Sequence, residues 1–153
     1  MGIAVVLDTN VLINVKNKEE PHYRFSEKIL DWIDEGHITG ILSTIVIAEM
    51  CSGFYESNEI REKDDFLTHI SGSQNYKVRD VSLGVADDAG RIRSANGLKL
   101  PDALIIATGL REGATYIATS DASFKKAKDI IRVFSPKELV IELEGKIGRR
   151  RKQ

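Results

Sequence analysis

Four acidic residues occupy places in this sequence where a carboxylate can take part in chemistry. Asp8 follows the uncharged run IAVVL, and Asp121 follows the short apolar run in TYIATS. Asp102 begins an apolar segment, and Glu49 lies inside IVIAEMC. Carboxylate oxygens suit magnesium and manganese, and a set of acids without His or Cys suits metal-assisted phosphoryl chemistry.

Each of these acids also has an ordinary structural interpretation. Asp8 and Asp121 are good N-cap residues for a following helix, and the helix dipole favours Asp102 in a first turn. Glu49 is either exposed on one face of a half-buried helix or drawn inward to a partner. For any single residue, both interpretations stay open.

The elements that must position the acids alternate between strand and helix, which predicts a parallel sheet with helices on both faces. Between the strands, apolar residues recur at helical spacing. Short apolar or β-branched runs predict five strands, at residues 3–7, 38–42, 76–81, 115–119 and 130–134.

This topology brings the acids to one edge of the sheet. Asp8 and Asp121 stand where strands end, and Asp102 heads the helix that leads into the last strand before Asp121. Right-handed crossovers place successive strand ends at one edge, and neighbouring strands are ~4.8 Å apart. Carboxylates that close cannot all stay ionised without a cation, so we expect Mg²⁺ or Mn²⁺ there.

Composition is typical of a soluble globular protein, with 42% hydrophobic and 29% charged residues among 153. No apolar run approaches the ~20 residues of a membrane helix, and the start of the chain lacks a signal-peptide pattern. Cys51 is the only cysteine, which excludes an internal disulfide and a cysteine-based zinc cluster. We therefore expect a cytoplasmic protein without a membrane segment.

The net charge of −1 conceals an uneven distribution. Residues 146–153 hold five of the 22 basic residues and no acid, so 17 basic residues face 23 acidic ones elsewhere, a net charge of −6. Such a body does not attract nucleic acid by bulk charge, and a metal would have to offset its acids. We expect one domain over residues 1–145 and a basic, mobile tail at 146–153 that buries nothing.

Four motifs make the chain resemble the PIN-domain family, and in size and layout its VapC-type toxin ribonucleases. They are LDTNVLI with Asp8, STIVIAEM with Glu49, LKLPDALIIATG with Asp102 and IATSDASF with Asp121. The resemblance covers residues 3 to about 143. It implies a PIN-like α/β fold, three-layer α/β/α with a central parallel β-sheet. It also implies an acidic pocket with Mg²⁺ (or Mn²⁺), and RNA hydrolysis to 5′-phosphate and 3′-hydroxyl ends.

Carried onto this sequence, the resemblance makes the same four acids the catalytic and metal-binding residues. Thr9, Asn10 and Ser120 would be supporting polar groups, although the position of Ser120 is often basic in the family. The resemblance further implies an RNA substrate, a small antitoxin protein as partner and a homodimer. Five basic residues near the motifs could steer a phosphate or simply face solvent: Arg91, Arg93, Lys99, Lys125 and Lys126.

Three other functions fit parts of this sequence. A haloacid-dehalogenase phosphatase also places an Asp after a strand, but it usually has a second acid where this chain has Asn10. A non-catalytic PIN-like binding module is disfavoured because an idle acid cluster costs stability through repulsion. A PIN-domain nuclease of RNA processing or decay would use the same residues as a toxin, so that alternative stays open.

Overall fold

The computed structural model describes residues 2–151, with side chains as far as Arg150, and its centre is a five-stranded sheet. All four strand pairings are parallel, and the spatial order is β3-β2-β1-β4-β5. The parallel sheet predicted from the alternating pattern is therefore confirmed. The strands are β1 (Ile3–Leu7), β2 (Ile38–Ser43), β3 (Tyr76–Arg79), β4 (Tyr116–Ala118) and β5 (Arg132–Phe134).

Helices flank this sheet in a three-layer α/β/α arrangement, as predicted. Several helix ends follow from the local sequence. The Ser43 hydroxyl accepts a hydrogen bond from the backbone N of Ile45 at 3.1 Å, and Gly97 ends a helix at φ 71°. The helices are α1 (Thr9–Lys16), α2 (Tyr23–Asp34), α3 (Thr44–Glu56), α4 (Ile60–Gly72), α5 (Leu83–Asn96), α6 (Leu100–Arg111) and α7 (Pro136–Arg151), with a 3₁₀ helix at Ala122–Ala127.

The core is densest around β1, where Val5, Val6 and Leu7 have no exposed surface. Helix α6 packs across β1 and β2 at a close approach that requires glycine. A Cβ built on Gly109 would lie 2.7 Å from Cγ1 of Val6, well inside van der Waals contact. This contact sets the height of α6 above the sheet and thereby the position of its N-terminal turn.

The expectation that nothing from residue 146 onward would be buried is wrong at Ile147. Helix α7 continues to Arg151, and Ile147 is only 3% exposed. Lys146 Nζ also donates a hydrogen bond to the hydroxyl of Tyr116 at 2.7 Å. The basic composition of this segment concealed a single apolar residue at helical spacing from Leu143, which is itself buried. Residues 152 and 153 lie outside the described part of the chain.

In the part of the chain that the structure describes, no helix combines the length and apolar character needed to cross a bilayer.

Candidate active site

The site lies where the strand order reverses. The chain runs outward from β1 to β2 and β3 on one side, and β4 and β5 lie on the other side. In open α/β sheets, the crevice outside the carboxyl ends of the strands at such a switch point is the usual binding place. Asp8 follows β1 directly, and residues 119–121 follow its neighbour β4.

Asp8 is buried at this crevice, with 7% of its surface exposed, and hydrogen bonds hold both of its carboxylate oxygens. Oδ1 accepts from the backbone N of Thr9 at 2.8 Å, so the helix-capping interpretation of Asp8 is confirmed. Oδ2 accepts from Asn10 Nδ2 at 2.7 Å and from the Thr119 hydroxyl at 2.8 Å. The carboxylate therefore has a defined orientation at the junction of two strands.

Burial raises the pKa of Asp8 from 3.8 to about 6. Hydrogen bonds from Thr119 and Thr9 favour the ionised form and oppose this rise, whereas the charges of Asp102 and Glu49 add to it. An acid in this state gains more from a bound cation than an exposed acid would, because the cation offsets both the desolvation and the repulsion.

Asn10 and Thr119 connect the loops that follow β1 and β4. Asn10 Oδ1 accepts from the backbone N of Ser120 at 3.1 Å, and the Thr119 hydroxyl accepts from the backbone N of Asp121 at 3.0 Å. Ser120 thus contributes its backbone amide to this network. Asp121 is exposed, and its Oδ1 accepts from the backbone N of Ser123 at 2.9 Å, which caps the 3₁₀ helix.

Thr119 is a site residue that the sequence reasoning missed. Its hydroxyl contacts Asp8 and the backbone of Asp121, and it is 3% exposed. The available signal was a hydroxyl residue at the end of a predicted strand. Its significance depends on the pairing of β1 with β4. That pairing brings Thr119 next to Asn10, which lies 109 residues earlier in the chain.

Asp102 lies in the first turn of α6 and is partly buried. Burial raises its pKa, the charges of Asp121 and Glu49 raise it further, and Lys99 beside it lowers it. Gly109 lies two helical turns after Asp102 on the same face, so the close packing against β1 also holds this acid over the sheet edge.

Glu49 lies in the second turn of α3 and is exposed, so the first of its two predicted environments is correct. Its charge nevertheless raises the pKa of both Asp8 and Asp102. Asp8 and residues 119–121 lie at the carboxyl ends of β1 and β4, as the predicted topology requires, and a site shared by all four acids stays a prediction.

The donor chemistry of these acids fits a hard divalent cation. Every donor is an oxygen, and among the described residues no Lys or Arg forms an ion pair with any of the four. Within residues 2–151, however, no three acidic, His or Cys side chains already form a group that could hold an ion. The assignment of all four as metal ligands stays a prediction.

The basic residues near the site differ in availability. Arg91 pairs with Asp88 at 3.1 Å, and Lys126 Nζ donates to the backbone oxygen of Gly97 at 3.5 Å. Lys99 is the N-cap residue of α6 and is exposed beside Asp102. The charge of Lys99 reaches one of the four acids, since it lowers the pKa of Asp102.

Comparison with solved structures supports the fold. A chain of a toxin–antitoxin complex from Klebsiella pneumoniae is 22% identical, with a TM-score of 0.66 over 86% of this chain and 97% of that one. The Mycobacterium tuberculosis toxin VapC20, described as cleaving the sarcin-ricin loop, is 15% identical, with a TM-score of 0.65 over 80% and 94%. A chain of FitAB bound to a DNA fragment is 26% identical, with a TM-score of 0.66 over 86% and 94%.

No curated protein matches this sequence significantly. The profile of the PIN domain matches residues 5–130, a span that includes all four acids, most of β1 and the whole of β2, β3 and β4. The parallel sheet, the acids at its switch point and this match agree with one another. The chain belongs to the PIN domain family.

Proposed function

We propose that this protein is an endoribonuclease that depends on Mg²⁺ or Mn²⁺ and hydrolyses RNA phosphodiester bonds. The observation that carries the proposal is the buried carboxylate of Asp8 at the switch point of the sheet. The charges of Asp102 and Glu49 add to the rise of its pKa, and the charge of Asp121 raises the pKa of Asp102. Acids in this state gain from a bound cation, and the cation can in turn hold the phosphate of RNA.

Asp8, together with Asp102 or Asp121, would hold the ion, and Glu49 would hold a second ion or orient the attacking water. When bound, the ion lowers the pKa of water and neutralises charge on the scissile phosphate. Asn10 and Thr119 keep the Asp8 carboxylate in one orientation through their hydrogen bonds. Water attacks phosphorus in line and leaves 5′-phosphate and 3′-hydroxyl ends.

We further propose that the enzyme is the toxin of a toxin–antitoxin pair, works in the cytoplasm as a homodimer and is neutralised by a small antitoxin protein. Structures that resemble this chain support a toxin, since they include a toxin–antitoxin complex and a toxin described as cleaving the sarcin-ricin loop. The small size of the chain, 153 residues, is consistent with this role.

The test is cleavage of a labelled RNA panel in Mg²⁺, Mn²⁺ or EDTA by wild type, Asp8→Asn and Asp65→Asn. Asp8→Asn removes one charge from the site and nearly preserves its shape. Asp65 is an exposed acid on α4, so Asp65→Asn is the matched control for loss of a carboxylate. Wild type and control should cut only with metal, and Asp8→Asn should lose at least about a hundredfold in rate.

Equal cleavage by Asp8→Asn and wild type would show that the activity is a contaminant or lies elsewhere, and the proposal would fail. The absence of both cleavage and metal binding across the panel would favour a binding module instead. Metal binding can be followed separately by the shift in thermal unfolding that Mn²⁺ causes in the wild type and in each variant.

A further inference from the structure

Helix α5 turns one face to the outside of the molecule. The exposed residues of this face lie at helical spacing about Gly90: Leu83, Ala86, Asp87, Gly90, Arg93, Ser94 and Gly97. Leu83 is 91% exposed, more than any other large apolar side chain that the structure describes. The residues on the opposite side of the helix, Val85, Ala89 and Ile92, are buried. The outer face of α5 is therefore open to a partner.

This outer face has a projection at one end and a hollow at the other. Leu83 is the first residue of α5, and a hollow of about 420 Å³ lies beside the second half of the helix. Its lining residues are Gly90, Arg93, Ser94, Gly97, Leu98 and Leu100. Leu100 is 46% exposed, so the hollow has an apolar wall that a leucine side chain can cover.

Gly90 leaves the middle of the outer face flat. It lies inside α5, where glycine is less favourable than any residue except proline. A Cβ built on Gly90 meets no other atom within 4 Å, so packing within the chain does not require the glycine. The absent side chain instead permits the close approach of a second backbone from outside.

Two charged side chains lie at equal distances from Gly90. Asp87 comes three residues before it and Arg93 three residues after it, and both are exposed. In the described part of the chain, neither side chain forms a hydrogen bond or an ion pair. Leu83 and Gly97 likewise lie seven residues to either side of Gly90. The face is therefore complementary to itself when it is turned end to end.

We propose that α5 of one copy packs antiparallel against α5 of a second copy of this chain, with Gly90 at the crossing. A two-fold axis through the crossing places Asp87 opposite Arg93 of the second copy, and the same pair forms again with the copies exchanged. Leu83 enters the hollow of the second copy beside Gly97 and Leu100. The inference names the surface of the proposed homodimer and rests on that part of the proposed function.

Self-complementarity favours a second copy over a different protein, because only a two-fold interface requires one patch to match itself. One pair of helices buries less than the roughly 1,200 Å² of a standard interface. We therefore expect a weak dimer, which dissociates at roughly micromolar concentrations. The second copy would also lie close to the turn at Leu100 that begins α6 and carries Asp102.

Sedimentation equilibrium in EDTA and without RNA measures this association alone. Asp87→Arg places two arginines opposite each other, and Arg93→Asp places two aspartates opposite each other. Each variant by itself should dimerise about thirtyfold more weakly than wild type, since two attractive pairs become repulsive. An equal mixture of the two variants should form a heterodimer about as tight as wild type, because both opposing pairs are then Arg with Asp. This recovery also shows that both variants are folded.

The matched controls are Arg61→Asp and Asp65→Arg, which reverse exposed charges on α4 and should dimerise as wild type does. Leu83→Asp removes the projection and should weaken the dimer about a hundredfold.

The outcomes separate this inference from the rest of the proposed function. A wild-type chain that stays monomeric up to about 1 mM would refute both the surface and the homodimer. A dimer that Asp87→Arg and Leu83→Asp leave unchanged would refute only the surface. Weakened single variants that fail to associate when mixed would refute the antiparallel register. RNA cleavage is measured separately, so a failure of the ribonuclease proposal leaves each of these results unchanged.

Discussion

With divalent ions removed, replacing Asp8 by Asn should stabilise the folded protein at neutral pH, even though Asp8 caps α1. Burial and neighbouring acids raise the pKa of Asp8 from 3.8 to about 6. Each pKa unit corresponds to 1.36 kcal/mol, so keeping Asp8 ionised in the folded state costs about 3 kcal/mol above pH 6. Asn caps a helix about as well as Asp and carries no charge.

The gain is smaller than 3 kcal/mol because an asparagine amide cannot accept from every donor that faces Asp8. Its oxygen can accept from the backbone N of Thr9 or from Asn10 and Thr119, but its NH₂ group then faces a donor. One such mismatch costs about 1 kcal/mol. We therefore expect Asp8→Asn to raise the free energy of unfolding by about 2 kcal/mol at pH 7.

The sign of this effect depends on pH. Near pH 4, the folded protein keeps Asp8 largely protonated at no charge cost, so the variant should be slightly less stable than wild type. Between pH 4 and pH 6 the folded state binds more protons than the unfolded state, and the stability of wild type falls as pH rises. The difference between wild type and variant should therefore change by about 2 kcal/mol over this range.

Urea unfolding in EDTA at several pH values between 4.5 and 7.5 measures this difference. Asp65→Asn, run alongside, controls for removal of an exposed acid outside the site. A difference between wild type and Asp8→Asn that does not change with pH would refute the reasoning, because Asp8 would then ionise equally in both states. Mg²⁺ at pH 7 should reverse the order by stabilising wild type more than the variant.

Three further predictions concern packing and the site network. Gly109→Ala should destabilise the protein by about 2 kcal/mol, because its Cβ would lie 2.7 Å from a side chain of β1. Gly90→Ala in α5, where the new Cβ meets open space, should instead stabilise the protein by about 0.5–1 kcal/mol. Thermal unfolding measures both changes. Ile147→Ala should lower the free energy of unfolding in urea by about 3 kcal/mol, and Ile141→Ala should lower it far less, because these side chains are 3% and 64% exposed. Equal losses in the two variants would contradict the packing of α7. Thr119→Val removes a hydrogen bond to Asp8, so it should raise the pKa of Asp8 above about 6 and move the acid limb of the pH–rate profile to higher pH. Thr119→Ser keeps the hydroxyl and should restore the wild-type profile.

Much of the fold could be predicted because it depends on neighbours in the sequence. Apolar runs of strand length, serine caps such as Ser43 and the glycine stop at Gly97 act within a few residues. Three strands are shorter than predicted: β3, β4 and β5 end or begin inside the apolar runs at 76–81, 115–119 and 130–134. Strand ends depend on the partner strand, which local sequence does not contain.

The sequence by itself determined which residues are acids at strand ends and helix starts, and hence Asp8, Asp102 and Asp121 as candidates. Only the tertiary structure decided that β1 pairs with β4, which places the Thr119 hydroxyl on Asp8, and that Glu49 is exposed while its charge raises the pKa of Asp8. Only the tertiary structure also buries Ile147 in the last helix. The physical reason is that hydrogen bonding, desolvation and packing depend on which distant segments meet, whereas capping and periodicity depend on adjacent residues.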